Sequence, residues 1–269
     1  MEEQRAIAVS PRHQVRLASE YLPLLDRPPA RDFVVHVIEN RQANGLPLML
    51  AELVIAGRET RHQYPLAQTY PLHFRKTYFS ARLHNDPREE FAHAKRASTL
   101  VPLLPAPIGS TPTELRCCFI PGRTYNHLSP FQPESEDSNL RNARDLALAT
   151  AAGLWRLLEE AFSQLRTLHA GGLSHGDAQL SNFIVSPAPL EVILIDFEAA
   201  LAREQTDSGT WTKRCAADLE PLLHEALLLQ ANLGRQPGDL GELSFAAADR
   251  LFKDPKRILR YVERGEEVS

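Results

Sequence analysis

The order of hydrophobic and polar positions divides the chain into a strand-rich first half and a helix-rich second half. Apolar and β-branched runs bounded by turn residues predict strands in the first half. These strands are expected over residues 33–38, 48–55, 62–67, 72–79 and 115–120. A turn-like stretch over residues 68–71 separates the third strand from the fourth. The expected fold class is therefore α+β.

Helical signals begin at Asp86, which can cap a helix, and Pro87 suits the first helical position. That helix is expected to end near residue 100. In the second half, residues spaced by four and three form an apolar stripe that ends at Gly171-Gly172, and they are Leu154, Leu158, Phe162, Leu165 and Leu168.

The remaining segments of the second half are shorter. Residues 182–185 and 192–195 predict two short strands, and Asp218 is expected to open a helix through residue 229. A last helix is expected over residues 254–262, and the polar, acidic stretch 132–139 predicts an exposed loop.

The composition argues against some classes of protein but does not identify a function. Hydrophobic residues make up 43% and charged residues 24% of the 269 positions, which is typical of a globular protein. A net charge of -4 gives no reason to expect nucleic-acid binding. The first residues lack a signal-peptide pattern, and no apolar run reaches the roughly 20 residues of a membrane span. Three cysteines, an odd number, suit reduced thiols in the cytoplasm, and at most one of Cys117 and Cys118 can face a core.

The segment with a chemical pattern is LSHGDAQLSNFIV, residues 173–185, followed by VILIDFE, residues 192–198. Asp177 and Asn182 are five positions apart, and Asp196 follows fourteen later at the end of an apolar run. Taken singly, these residues are typical of a turn cap, a backbone-bonding amide and a strand end. The three together at this spacing favour a catalytic loop.

These two segments resemble the catalytic and metal-binding loops of the kinase-like superfamily. The similarity is greatest to the branch of aminoglycoside phosphotransferases, choline kinases and lipopolysaccharide kinases, in which His-Gly-Asp replaces His-Arg-Asp. The resemblance implies a bilobal protein-kinase-like fold. Its β-rich, nucleotide-binding N-lobe would span residues 1–120, including an N-terminal extension, and its α-rich catalytic C-lobe would span residues 121–269.

The resemblance also implies ATP and Mg²⁺ as cofactors and a role for each loop residue. Asp177 would accept, or at least orient, the proton of the attacking hydroxyl, and Asn182 and Asp196 would hold magnesium through oxygen atoms. His175 would brace the loop through hydrogen bonds. Asp218 would support the loop from below by binding backbone amides near His175; the alternative is that it caps its own helix, and both roles could hold together.

Upstream, residues 70–79 resemble the strand whose lysine holds the nucleotide phosphates. Lys76 is the candidate, and Arg75 must point to the opposite face of the strand. The expected partner of Lys76 is Glu90, because Glu89 is placed to close a capping box. A solvated cation at the end of a strand is the alternative interpretation of Lys76.

No G-x-G-x-x-G loop is present. The candidate phosphate loop contains Gly57, which could equally be an ordinary hairpin glycine, and the stretch 40–45 competes with it. Residues 119–125 resemble the connector between lobes, where backbone groups would hold the adenine. Two departures, Gln179 in place of a lysine and Glu198 in place of a glycine, favour small-molecule kinases over ordinary protein kinases.

The function expected from the sequence is ATP-dependent transfer of the γ-phosphate to a hydroxyl of a small molecule or (lipo)glycan. An acceptor at a membrane surface is compatible with this prediction. The alternatives are a pseudokinase, which would act as a nucleotide-binding regulatory module, and a compact atypical protein kinase.

Overall fold

The structure is a computed structural model that describes residues 5–79, 86–125, 151–187 and 189–232. It divides into two compact units. Unit 1 contains the described residues up to Ser98 together with Leu103–Pro121, and unit 2 contains Thr99–Pro102 and the described residues from Gly122 onward. The predicted loop 132–139 and the predicted helix 254–262 lie outside the described residues.

Unit 1 is built on a five-stranded antiparallel sheet. Its strands are β3 (Phe33–Ala43), β4 (Leu46–Ile55), β5 (Leu72–Tyr78), β6 (Pro107–Ser110) and β7 (Glu114–Cys118). They are ordered β3-β4-β5-β7-β6 across the sheet. A separate hairpin of β1 (Arg5–Ala8) and β2 (Gln14–Leu17) and a short helix α1 (Leu22–Asp26) precede it. The four strands predicted around residues 33–38, 48–55, 72–79 and 115–120 are confirmed.

A two-residue turn joins β3 to β4. Ala43 pairs with Leu46, and the residues between them, Asn44 and Gly45, have φ of 52° and 76°. Both values lie in the left-handed region, which Asn and Gly enter at little cost and which matches the twist of a tight hairpin. The chain reverses here with β3 at the edge of the sheet.

The two faces of this sheet differ in chemistry. Ion-pairing residues on neighbouring strands stand in one row, because Glu52 pairs in register with Arg75 and Arg75 with Arg116. Lys76 is the next residue along β5 and therefore projects from the other face. On that face Ile55 and Leu72 pack into an apolar cluster with residues of the β1–β2 hairpin, which are Ile7, Val9 and Leu17.

The strand predicted over residues 62–67 is wrong. The chain there forms two short helices, α2 (Arg58–Gln63) and α3 (Leu66–Thr69). The first amides of α2 have no partner within the helix, and they donate instead to the carbonyl groups of Pro29 and Ala30. This contact with a segment nearly thirty residues earlier favours a helix over a strand.

Helix α4 (Pro87–Leu100) has the predicted bounds. Asp86 Oδ1 accepts the backbone N–H of Arg88 at 2.9 Å, as expected of a capping residue. Unit 1 therefore combines a sheet with this helix, and the fold is mixed α+β.

Unit 2 is organised around two long helices, α5 (Ala151–Ala170) and α6 (Ser208–Asn232). Short strands accompany them: β8 (Arg123–Thr124), β9 (Leu173–Ser174), β10 (Phe183–Pro187), β11 (Leu190–Leu194) and β12 (Leu201–Ala202). They form a three-stranded sheet, β11-β10-β8, and a β12-β9 pair. The predicted stripe of α5 is buried at each position whose side chain is described, namely Leu158, Phe162, Leu165 and Leu168.

The helix predicted to open at Asp218 is wrong in its start, because α6 begins ten residues earlier, at Ser208. Asp207 caps it by accepting the backbone N–H groups of Gly209 and Thr210 and the Thr210 hydroxyl. The hydroxyl bond is the largest of the contacts that lower the pKa of Asp207. Asp218 lies in the middle of the helix, where its carboxylate has other partners.

None of the helices within the described residues combines the length and apolar character that a membrane span requires. Of the vicinal cysteines, Cys118 is buried and Cys117 is half-buried, as the strand alternation predicted. Burial raises the pKa of the Cys118 thiol to about 12, so this thiol is protonated and packs as an apolar side chain.

Candidate functional site

The loop of unit 2 that follows β9 carries the first two predicted site residues. Asp177 is exposed, and Asn182 closes a single 3-10 turn, Leu180–Asn182. The Asn182 side-chain amide donates to the Asp177 backbone carbonyl at 2.8 Å and to its carboxylate Oδ2 at 3.2 Å. Because the Nδ2 group is committed to Asp177, Asn182 has its oxygen to offer to a cation.

The third predicted residue, Asp196, is fixed to this loop through its neighbour. The Ile195 N–H donates to the Asn182 carbonyl at 2.8 Å, and the Ile195 carbonyl faces His175 Nε2 at 2.9 Å. Asp196 has a φ of 66°, and Asn44 is the other described non-glycine residue with a positive φ. A strained backbone of this kind persists where surrounding contacts impose it, and it is typical of functional sites.

His175 braces the loop, as predicted from the sequence. Its Nδ1 accepts the Asp177 N–H at 3.3 Å, so the proton of the neutral ring is on Nε2, which donates to the Ile195 carbonyl. The ring also meets Phe197 edge-on, with centroids 5.0 Å apart. One buried ring therefore links the segment of Asp177 to the segment of Asp196.

The carboxylate of Asp218 supports the same loop from α6. Its Oδ2 accepts the His175 N–H at 2.7 Å and faces His169 Nε2 at 2.8 Å, and its Oδ1 accepts the Gly176 N–H at 2.6 Å. Asp218 is 1% exposed, so these bonds form without competition from water. The expected contact between Asp218 and the loop amides is confirmed, whereas its alternative role as a helix cap is not.

A second buried side chain, Gln164 on α5, holds the strand that leads to Asp196. Its amide nitrogen donates to the Val192 carbonyl at 2.5 Å, and its amide oxygen accepts the Leu194 N–H at 3.1 Å. Gln164 therefore pairs with β11 as the backbone of a neighbouring strand would. This anchoring fixes the end of β11 two residues before Asp196.

In unit 1 the predicted pair of Lys76 and Glu90 is present. The Lys76 ammonium lies 3.6 Å from Glu90 Oε1, and both side chains are almost completely buried. The Tyr78 hydroxyl donates to Glu90 Oε2 at 2.6 Å, and burial, followed by the Glu90 charge, raises the pKa of Tyr78. Glu90, not Glu89, is therefore the carboxylate that orients Lys76, and the Tyr78 hydroxyl holds its second oxygen.

Arg75 has a different set of partners on the opposite face of β5. It donates to Glu52 Oε2 at 2.6 Å and to Asp32 Oδ2 at 3.3 Å, and Asp32 also accepts Arg116 Nη1 at 2.6 Å. The Asp32 side chain is almost completely buried, which by itself would raise its pKa, but the Gly57 N–H and Arg116 outweigh burial and lower it. Arg75 thus belongs to a structural ion-pair network.

The two candidate phosphate loops occupy different positions. Gly57 is the N-cap of α2 and not a hairpin residue. Its N–H donates to Asp32 Oδ1 at 2.9 Å, and a Cβ atom at this position would collide with the Arg31 backbone. Its amide is therefore occupied, and its small size serves packing. The competing stretch 40–45 forms the end of β3 and the exposed β3–β4 turn.

Two positioning residues, Tyr78 and Gln164, were not predicted from the sequence, although the sequence carries a signal for each. Tyr78 lies two positions after Lys76 and so projects from the same face of β5. Gln164 is a polar residue at a buried position of α5, where the helical period calls for an apolar side chain.

The donor set of unit 2 fits a hard divalent cation, because the Asn182 amide oxygen and the carboxylate of Asp196 are oxygen ligands of the kind that Mg²⁺ prefers.

Searches of protein-family models and of curated proteins find no match to this chain.

Proposed function

We propose that this protein is a kinase-like phosphotransferase that moves the γ-phosphate of ATP to a hydroxyl group. The observation that carries the proposal is the linkage of three residues in unit 2. Asn182 is bonded to Asp177 through its amide nitrogen, and Ile195, the residue before Asp196, is held by Asn182 and His175. Phosphoryl transfer requires a positioned hydroxyl and oxygen ligands for a metal, and this loop pair offers both.

Unit 1 supports the same proposal independently. A lysine on the central strand of a five-stranded antiparallel sheet, paired with a glutamate on the following helix, is the arrangement that positions nucleotide phosphates in kinase-like folds. Lys76 and Glu90 form this pair on β5 and α4. The β3–β4 turn at Asn44-Gly45 is the segment that we assign to cover the phosphates, because the Gly57 amide is engaged by Asp32.

In this mechanism each residue has one task. Asp177 orients the acceptor hydroxyl and takes its proton, and Lys76 neutralises phosphate oxygens as the bond to the leaving group breaks. Asn182 and Asp196 would hold Mg²⁺, which would supply the positive charge that neutralises the phosphates. Asp218 and His175 keep the loop in place without contacting the reactants.

We assign the acceptor to small molecules or glycans, including membrane-linked ones. Gly176 occupies the position where ordinary protein kinases carry an arginine, and the exposed Gln179 occupies that of a lysine. Twelve residues separate Glu198 from Trp211, which leaves little chain for a peptide platform.

The test combines binding and turnover in one set of variants. Calorimetry with ATP, with and without Mg²⁺, should show metal-dependent binding that Asp196→Ala abolishes and Asp177→Asn retains. With a panel of hydroxyl-bearing small molecules and glycans, Asp177→Asn should lose turnover by roughly 10² to 10⁴-fold. Glu220→Gln, an exposed change on α6, serves as the control.

Three outcomes would change the proposal. Unaltered Mg-ATP affinity in a folded Asp196→Ala protein would remove the metal assignment. Mg-ATP binding without turnover on any acceptor would favour the pseudokinase. Robust, Asp177-dependent labelling of casein or myelin basic protein would move the assignment to a compact atypical protein kinase.

A further inference from the structure

Gly176, between His175 and Asp177, occupies a position with no room for a side chain. Its φ is 84°, and a Cβ atom there would collide with the Ala199 carbonyl and with Arg214 Nη2. The guanidinium of Arg214, which extends from α6, therefore fills the space beside the catalytic loop that a larger residue at position 176 would need.

Arg214 contacts both segments that carry the proposed reactive carboxylates. Its Nη2 donates to the backbone carbonyl of Ala199, three residues after Asp196. Its Nε donates to the Ser174 hydroxyl at 3.3 Å, just before His175. The Ser174 hydroxyl in turn donates to the Leu201 carbonyl at 3.3 Å, and this hydrogen bond joins β9 to β12.

We call the contacts of Arg214 with the Ala199 carbonyl and the Ser174 hydroxyl the clamp. The chemistry of its acceptors makes it permanent. The acceptors are a backbone carbonyl and a buried hydroxyl, neither of which depends on a modification or on pH. Guanidinium donors are fixed in one plane, so a single arginine can hold two groups at a set separation. Besides this contact, the Ala199 region is held by a local turn, in which the Ala200 N–H donates to the Phe197 carbonyl at 3.2 Å.

We propose that Arg214 is a positioning residue that holds residues 196–199 against the loop 174–177, so that the site is assembled constitutively, without phosphorylation of the chain. The inference rests on the proposed function for its catalytic consequence, but the clamp itself is a statement about contacts within unit 2. It assigns to a helix residue the task of ordering the segment after Asp196.

The experiment compares Arg214→Met, which retains the length of the side chain but has no donor, with Arg214→Lys, which retains one. Lys213→Met, the neighbouring exposed cation on α6, is the matched control. Hydrogen exchange measured by mass spectrometry should show amides of residues 197–202 exchanging roughly tenfold faster in Arg214→Met, the factor expected for loss of a charge-assisted hydrogen bond. Arg214→Lys should fall between wild type and Arg214→Met, and Lys213→Met should match wild type.

The second readout is the concentration of Mg²⁺ that half-saturates ATP binding. It should rise severalfold in Arg214→Met and recover in part in Arg214→Lys, while metal-independent ATP binding stays constant. Phosphatase treatment of the wild-type protein should change neither readout. If Arg214→Met does not fold, Ser174→Ala should show the same two changes at smaller size, because it removes the acceptor of Arg214 Nε together with the hydroxyl that donates to the Leu201 carbonyl.

The outcomes separate this inference from the proposed function. Wild-type exchange in Arg214→Met would overturn the clamp, even if Asp196→Ala abolishes Mg-ATP binding and the function stands. Faster exchange in Arg214→Met, with no Mg-ATP binding by the wild-type protein, would support the clamp and refute the function. Faster exchange with an unchanged Mg²⁺ requirement would overturn the positioning role, and phosphatase sensitivity would overturn constitutive assembly.

Discussion

Asp218→Ala tests whether a single buried carboxylate holds the loop of unit 2 in place. The substitution removes the acceptor for three donors, the backbone amides of His175 and Gly176 and the ring nitrogen of His169. Since Asp218 is 1% exposed, water cannot replace the carboxylate without opening the structure.

The expected loss follows from these three contacts. A buried donor left without a partner costs about 1–3 kcal/mol, and Asp218→Ala leaves three donors in this state. We expect Asp218→Ala to lower the free energy of unfolding of unit 2 by about 4 kcal/mol. At about 2–4 °C per kcal/mol for a domain of this size class, the thermal midpoint should fall by about 8–16 °C.

Tryptophan fluorescence is a suitable assay, because both tryptophans of the chain, at positions 155 and 211, lie in unit 2. Trp211 meets His169 edge-on with centroids 6.4 Å apart, so its emission should also report the loss of the Asp218 contact. Asp218→Asn, which retains the shape but turns one acceptor into a donor, should lie between wild type and Asp218→Ala.

The matched control is Asp207→Ala, which changes the exposed residue that caps the start of the same helix. It removes a carboxylate that also accepts backbone amides, but in contact with water. A thermal shift for Asp218→Ala no larger than that for Asp207→Ala would contradict this prediction, because burial would then not determine the energy of the Asp218 contacts.

Two further predictions concern unit 1. Lys76→Ala should weaken ATP binding, measured by calorimetry, far more than Arg75→Ala. Arg75→Ala should instead lower the thermal midpoint, because Asp32 and Glu52 lose a partner. Equal losses of ATP affinity in the two variants would contradict the assigned faces of β5. Burial and then Arg116 lower the pKa of His73 to about 4, below the 6.5 of the unfolded chain. The unfolded chain therefore takes up this proton first as the pH falls, so the free energy of unfolding is unaffected by His73 above pH 6.5 and decreases between pH 6.5 and 4. The total decrease is about 3 kcal/mol. His73→Gln should flatten the pH dependence of the thermal midpoint between pH 4 and 7, and an unchanged slope would show that His73 is not the titrating group.

Elements whose signals are local could be predicted from the sequence alone. The cap at Asp86 with Pro87 set the start of α4, the apolar stripe of α5 predicted its buried face, and Gly171-Gly172 marked its end. Strand alternation placed Lys76 and Arg75 on opposite faces. The spacing of Asp177, Asn182 and Asp196 identified the candidate site, because residues of one loop and the adjoining strand are close in sequence.

Features that depend on distant partners became visible with the folded structure. Residues 58–63 are helical because carbonyls at positions 29 and 30 satisfy the first amides of α2. The Gly57 N–H is bound by Asp32, twenty-five residues away, and Asp218 reaches backbone amides more than forty positions earlier. The contacts of Arg214 likewise join positions 15 and 40 residues apart. Buried polar groups must find partners wherever the fold brings them, and no local pattern specifies a partner at such distances.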